Sequence, residues 1–168
     1  FQAGNELFQI PKGHLIEESE VFKDMFTDGG ANDEEGKTDL SPIVLGDVDP
    51  LNFSALLDIL YSSRGANSPP AHTKDVWLAV LRLSLRWEME NIRMICISAL
   101  DEMVLNATEK VIFAREFFHI PWLRQGYETF ITSVQPSEEL AGRISAETVV
   151  KLFLAREYHG SKSSYCQK

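Results

Sequence analysis

A helical hairpin that occurs twice in the second half of the chain restricts the fold more than any other feature. Shifting the sequence by 31 residues places the segment around Trp87 on the segment around Phe118. The matched pairs are Val80–Val111, Leu81–Ile112, Trp87–Phe118, Met89–Ile120, Ile92–Leu123, Cys96–Tyr127 and Leu100–Ile131. Each copy reads as a helix, a tight corner and a second helix, and such a hairpin cannot bury its apolar face alone. We therefore predict stacked hairpins within a helical region from Thr73 to about His159.

The first half of the chain mixes short strands with helices. FQAGN and LFQI predict two short strands joined by a Gly-Asn turn, and PIVLGDV predicts a buried strand. HLIEESEVFKDMF predicts one helix or a pair of helices, with Ser19 capping the second. The predicted fold class is α+β, with a small sheet in residues 1–48 flanked by helices and an all-helical extension after it.

Several helix starts have capping residues. Asp49 is followed by Pro50, which fits the first position of a helix. The buried stripe of that helix is predicted to be Phe53, Leu56, Leu57, Leu60 and Tyr61. Asn106 and Glu109 have the spacing of a capping box, and Ser145 precedes a final helix whose inward residues are predicted to be Val149, Leu152 and Phe153.

Charge excludes one class of partner. The chain has 168 residues and a net charge of −9, with a pI near 4.9, so it lacks the basic footprint of a nucleic-acid-binding protein. Residues 17–39 hold nine acidic side chains against two lysines, and the later half of that stretch predicts a solvated, mobile loop. No apolar run is long enough for a membrane span. The sequence starts without Met or a signal peptide, and we expect further residues before Phe1.

Motifs for catalysis or metal binding are weak. Gly36-Lys37-Thr38 matches the end of a phosphate-binding loop, but Ala31 stands where the first glycine belongs and three acidic residues precede Gly36. A calcium loop starting at Asp28 fails at several ligand positions. The four histidines are isolated from other metal ligands: His14, His72, His119 and His159. We therefore predict no enzyme activity, no cofactor and no metal.

Two kinds of side chain are better explained by packing than by chemistry. Cys96 lies within an apolar helical stripe and is predicted to be a small buried hydrophobe. Trp77 and Trp87 are predicted to lie in the core, whereas Trp122, beside Pro121 at a corner, is predicted to be the most exposed tryptophan. Trp122 is therefore the candidate for a partner-binding surface.

The order of these segments resembles a BTB/POZ domain over residues 1–104. The residues that carry the resemblance are Phe8, Ile10, His14 or Leu15, Ser19, Phe22, Met25 and Phe26, then PIVLGDV and FSALLDILYSS, then Leu81, Trp87, Met89, Ile92, Cys96 and Leu100. The remainder is similar to the tail of fungal BTB-domain proteins, through Glu138-Glu139, Glu147-Thr148-Val149 and Ala155-Arg156-Glu157. The corresponding domains are 1–104, a helical extension over 105–160 that packs on it, and a polar tail over 161–168.

The resemblance implies a non-catalytic protein–protein interaction module, usually a homodimer, that acts as an adaptor or scaffold in the cytoplasm or nucleus. It also implies an alternative role as substrate adaptor of a cullin-type ubiquitin ligase. The loop SSRGANSPPAHTKD lacks the hydrophobic-x-acidic triplet common in cullin-binding members, which disfavours that role. Elongin C and the Skp adaptors share the fold but have different tails. From strand alternation and helical facing, the dimer-interface candidates are Leu7, Ile16, Val21 and Met25.

Overall fold

The computed structural model describes residues 1–27, 35–62, 71–133 and 142–165. These residues belong to two compact units, Phe1–Met103 and Val104–Lys168. Most of the predicted mobile loop (28–34) and the Glu138-Glu139 pair lie outside the described residues.

The first unit contains a sheet of three very short strands in the order β2-β1-β3. Strands β1 (Gln2–Ala3) and β2 (Glu6–Leu7) form an antiparallel hairpin, and β3 (Val44–Leu45) runs parallel to β1. The turn requires a glycine because Gly4 has φ of 55° and its position faces Pro50 at 3.1 Å. The predicted hairpin is confirmed, whereas the PIVLGDV strand is only partly buried because Val44 faces outward.

Five helices complete the first unit. They are α1 (Lys12–Glu18), α2 (Glu20–Thr27), α3 (Pro50–Ser62), α4 (Lys74–Arg86) and α5 (Glu90–Glu102). The predicted caps are present: the Ser19 hydroxyl accepts from the Phe22 amide at 3.1 Å, and the Asp49 carboxylate accepts from the Leu51 amide at 2.9 Å. Ser19 is extended, so it separates α1 from α2 and settles the choice between one helix and a pair.

The core of the first unit lies where α2, α3 and the α4–α5 corner meet. Phe53 packs edge-on against Phe8 and Trp87, with ring centroids 4.9 Å and 5.9 Å apart. Phe22 lies 5.1 Å from Trp87. The predicted stripe of α3 is buried except for Tyr61, which is partly exposed near the end of the helix.

The second unit is helical throughout its described part. It contains α6 (Ala107–Glu116), α7 (Ile120–Thr132) and α8 (Ala146–Tyr165). The predicted capping box between Asn106 and Glu109 is confirmed, with both hydrogen bonds at 2.9 Å. Its core contains Val111, Phe130, Ile144 and Leu152. Helix α8 continues five residues into the segment that was predicted to be a polar tail, so the predicted end of helix at His159 is too early.

The structure moves the internal repeat by one residue, from 31 to 30. Trp87 and Phe117 are the residues that end α4 and α6, and each donates its backbone N–H to a carbonyl four residues earlier. The next residues, Glu88 and Phe118, both have left-handed φ, of 52° and 54°. The shift of 30 also pairs buried residues with buried residues: Leu81 with Val111, Ser84 with Ala114, Ile92 with Trp122, Cys96 with Gly126, and Leu100 with Phe130.

Candidate functional site

A cleft of about 550 Å³ opens in the first unit beyond the N-terminal end of β1. Its walls are formed by the chain from Leu7 to Lys12, the C-terminal end of α2 and the segment 35–43. Phe1, Met25 and Phe26 line one side of it, and ionisable side chains belong to the segment 35–39. The cleft therefore combines an apolar side with a charged one, and it was not predicted from the sequence because its walls are far apart in the chain.

Aromatic side chains form the apolar side of this cleft. The Phe1 ring lies edge-on to Phe22 at 5.8 Å and to Phe26 at 6.1 Å between centroids. The ammonium group of Lys12 lies 5.5 Å from the centre of the Phe26 ring, within the range of a cation–π contact. This packing holds the N-terminal strand against α2 and leaves the cleft beside it.

Gly36, Lys37 and Thr38 lie on the wall of the cleft, but not as a phosphate-binding loop. Such a loop aims backbone N–H groups at the phosphates and leads directly into a helix. Here the Gly36 N–H donates to the Ser41 carbonyl at 2.6 Å. The next described helix, α3, begins only at Pro50, after β3. The geometry of the described residues therefore gives no support to the nucleotide-site hypothesis.

The four dimer-interface candidates fall into two groups. Leu7 is 51% exposed and lies with the half-buried Met25 on the wall of the cleft. Ile16 on α1 and Val21 on α2 are half-buried and lie outside that wall. The assignment of Leu15 and Phe22 to the core is confirmed, whereas Phe8, Ile10 and Phe26, also predicted to be core residues, are only half-buried. The cleft thus joins two candidates and leaves the other two on the helices beside it.

The predicted exposure of Trp122 is wrong. Its side chain is fully buried, and its ring lies 4.7 Å from the ring of His119, centroid to centroid. The reason is the register of the repeat: Trp122 corresponds to the buried Ile92, whereas Phe118 follows the corner and is 77% exposed. Trp122 therefore offers no accessible surface to a partner.

A polar junction in the first unit was missed by sequence analysis. The Glu18 carboxylate accepts from the side chain of Asn91 at 3.2 Å and from the Ile92 amide at 3.3 Å, in the first turn of α5. The neighbouring Ser19 hydroxyl donates to the Trp87 carbonyl at 2.5 Å. Glu18 thus supplies the negative charge that a helix N-terminus favours. The sequence showed it only as one member of an acidic stretch, since its partner helix is more than 70 residues away.

Helix α8 carries an exposed apolar stripe in the second unit. Its exposed members have helical spacing and are Val150, Phe153, Leu154 and Tyr158. The opposite side is packed, with Leu152 buried and Val149 partly buried in the core of the unit. The prediction that Phe153 faces inward is therefore wrong, because it falls on the same side as Val150 and Leu154.

The remaining groups give no reactive centre within the described ranges. No group of three or more potential metal ligands occurs there. Burial raises the pKa of the Cys96 thiol to about 12, so the predicted buried hydrophobe is confirmed and the thiol stays protonated at neutral pH. None of the described helices is long and apolar enough to cross a membrane.

Comparison with known proteins agrees with this architecture. The model of the BTB/POZ domain family matches residues 1–104. This range covers the sheet, helices α1 to α5, and the cleft. None of the curated proteins compared with the chain matches it.

Proposed function

The chain belongs to the BTB/POZ domain family, whose domains are protein–protein interaction modules, and we propose that it acts through a homodimer as a non-catalytic adaptor or scaffold. The observation that carries this proposal is the incomplete burial of apolar residues along α1 and α2. Ile16, Val21 and Met25 keep part of their surface exposed on the two helices that also bury Leu15 and Phe22 in the core.

Self-association supplies a cover for this surface. A twofold dimer brings the same patch of both copies together, and a stable interface of this type buries roughly 1,600 Å² in total. Apolar side chains gain about 25 cal/mol per Å² removed from water, so partly buried residues contribute to association with the surface they still expose. Leu7 extends the proposed face to the edge strand β2.

Light scattering at micromolar concentration tests the dimer. The unmodified chain is expected at twice its mass of 19.0 kDa, and Met25→Asp at the mass of a monomer, because a carboxylate would be buried in the contact. Thr27→Asp is the matched control, since it adds the same charge to an exposed position on the same helix. Circular dichroism establishes that both variants keep their helices. A monomeric unmodified chain, or a dimer that Met25→Asp leaves intact, would refute the face.

The two alternatives have less support. The cullin-adaptor role stays a prediction, because the loop that bears on it includes residues 63–70, outside the described ranges. The nucleotide-binding alternative predicts that ATP or GTP with magnesium raises the melting temperature, since a ligand that binds only the native state stabilises it. We expect no shift. A cytoplasmic or nuclear location accompanies the proposed adaptor role and agrees with the unpaired thiol of Cys96.

A further inference from the structure

Strand β1 ends where the chains on both sides of it continue. It is the central strand of the sheet and begins at Gln2. On one side the chain of β2 runs on through Gln9 and Ile10, and on the other side Pro42 and Ile43 precede β3. All four of these residues line the cleft. The cleft is therefore a slot between two stretches of backbone, open in line with β1.

The hydrogen-bond pattern shows which backbone groups point into the slot. Phe1 and Phe8 exchange two hydrogen bonds, at 2.8 Å and 2.9 Å, so they form a hydrogen-bonded antiparallel pair. Such pairs recur every second residue, which turns the N–H and C=O of Ile10 toward the slot. On the parallel side the Gln2 N–H donates to the Ile43 carbonyl at 2.8 Å, and the pattern turns the Ile43 N–H toward the position before Phe1.

These groups have no hydrogen-bond partner among residues 1–27, 35–62, 71–133 and 142–165. Backbone donors and acceptors at a partly enclosed position are normally paired. The side chains agree with a strand, because Phe1, Met25 and Phe26 line the cleft on its apolar side. The slot thus offers main-chain hydrogen bonds on two sides and an apolar surface on the third.

We propose that the cleft seats an extended segment of at least two residues that directly precedes Phe1 and continues β1 between Ile10 and Ile43. A segment joined to Phe1 enters the slot without a connecting loop and without the entropy cost of association that a separate chain meets. Its residue two positions before Phe1 lies on the same face as Phe1, because side chains alternate along a strand, and is expected to be apolar. This strand site is independent of the proposed homodimer.

Short N-terminal extensions test the proposal. Thr-Val-Thr placed before Phe1 puts valine on the apolar side of the slot, whereas Gly-Ser-Gly has the same length and a low tendency to form a strand. Amide hydrogen exchange of Ile10 and Ile43 is expected to slow by about tenfold or more with Thr-Val-Thr relative to Gly-Ser-Gly. Equal exchange rates with the two extensions would overturn the proposal.

A second pair of extensions controls for charge and direction. Thr-Asp-Thr places a carboxylate on the apolar side and is expected to lose the protection, whereas Thr-Val-Asp places it on the opposite side and is expected to keep it. Protection that rises with protein concentration, or that acetylated Thr-Val-Thr amide gives equally when added as a separate peptide, would assign the slot to another chain and overturn the proposal. Light scattering of the same samples reports the dimer separately.

Discussion

Replacing Gly126 with alanine is expected to destabilise the chain, although alanine is the better helix former. Gly126 lies within α7 where this helix crosses α6. A Cβ atom at this position would lie 2.6 Å from the Val111 Cγ2 atom and 3.0 Å from the Ala107 carbonyl oxygen. Valine has one strongly preferred rotamer in a helix, and the carbonyl belongs to the backbone of α6, so neither can give way alone.

The magnitude follows from two opposing terms. Inserting a methyl group into a packed contact costs about 1–3 kcal/mol, and exchanging glycine for alanine within a helix gains up to about 1 kcal/mol. Because one of the close contacts is to backbone, we expect the first term to win by about 1–2 kcal/mol. For a domain of this size each kcal/mol lowers the melting temperature by about 2–4 °C.

Gly13→Ala is the matched control for this experiment. Gly13 lies in helix α1, and no atom approaches its added Cβ within 4 Å, so the same substitution is expected to raise stability by up to about 1 kcal/mol. Thermal and urea unfolding measure both variants. Adding Val111→Ala to Gly126→Ala is expected to recover part of the loss. Stabilisation by Gly126→Ala equal to that by Gly13→Ala would refute the close approach of α6 and α7.

Three further predictions test buried groups. Ser19→Ala removes the cap of α2 and leaves the Trp87 carbonyl without this donor, and is expected to cost about 2–3 kcal/mol in urea unfolding. Trp122→Ala is expected to cost about 3–5 kcal/mol, whereas Phe118→Ala changes stability by less than about 0.5 kcal/mol. Burial keeps the pKa of Cys96 near 12, above the value of about 8.5 in unfolded chains, so its contribution to stability falls as pH rises from about 8.5 to 12, and a thiol reagent is expected to reach it only on unfolding.

Each of these predictions has an outcome that contradicts it. Ser98→Ala, at an exposed position of α5, is the control for Ser19→Ala, and equal losses would show that the junction contributes little. A larger loss for Phe118→Ala than for Trp122→Ala would restore the repeat of 31 residues. For the thiol, the measurement is made on the Cys166→Ser variant, and rapid labelling of the native state would contradict the burial of Cys96.

Local signals in the sequence predicted helix boundaries well. The caps at Ser19, Asp49 and Asn106 depend on residues only two or three positions apart, and all three are confirmed. The register of the repeat depends on which of two adjacent phenylalanines ends α6. Both shifts pair Trp87 with a phenylalanine, and the shift of 31 is favoured by chemical similarity because 30 pairs Ile92 with the larger Trp122.

Features that join distant parts of the chain were beyond the reach of periodicity. The cleft combines β2, the end of α2 and residues 35–43, and its shape depends on tertiary packing. Periodicity also cannot tell which of two apolar faces on α8 is covered, so Phe153 was assigned to the wrong one. The stacking of 107–158 on the first unit stays a prediction, and a single unfolding transition in calorimetry is its expected sign.

The polar junction at the start of α5 has a consequence for the order of folding. Its hydrogen bonds join residues 68 to 74 positions apart, from Ser19 to Trp87 and from Glu18 to Ile92. The α4–α5 hairpin that receives them needs only local contacts, and closing a long loop costs entropy before its contacts form. The hairpin is therefore expected to be structured in the folding transition state, with α1 and α2 docking onto it afterwards. Substitutions at Ser19 would then mainly speed unfolding, whereas truncation of Leu81 or Leu100 would slow folding.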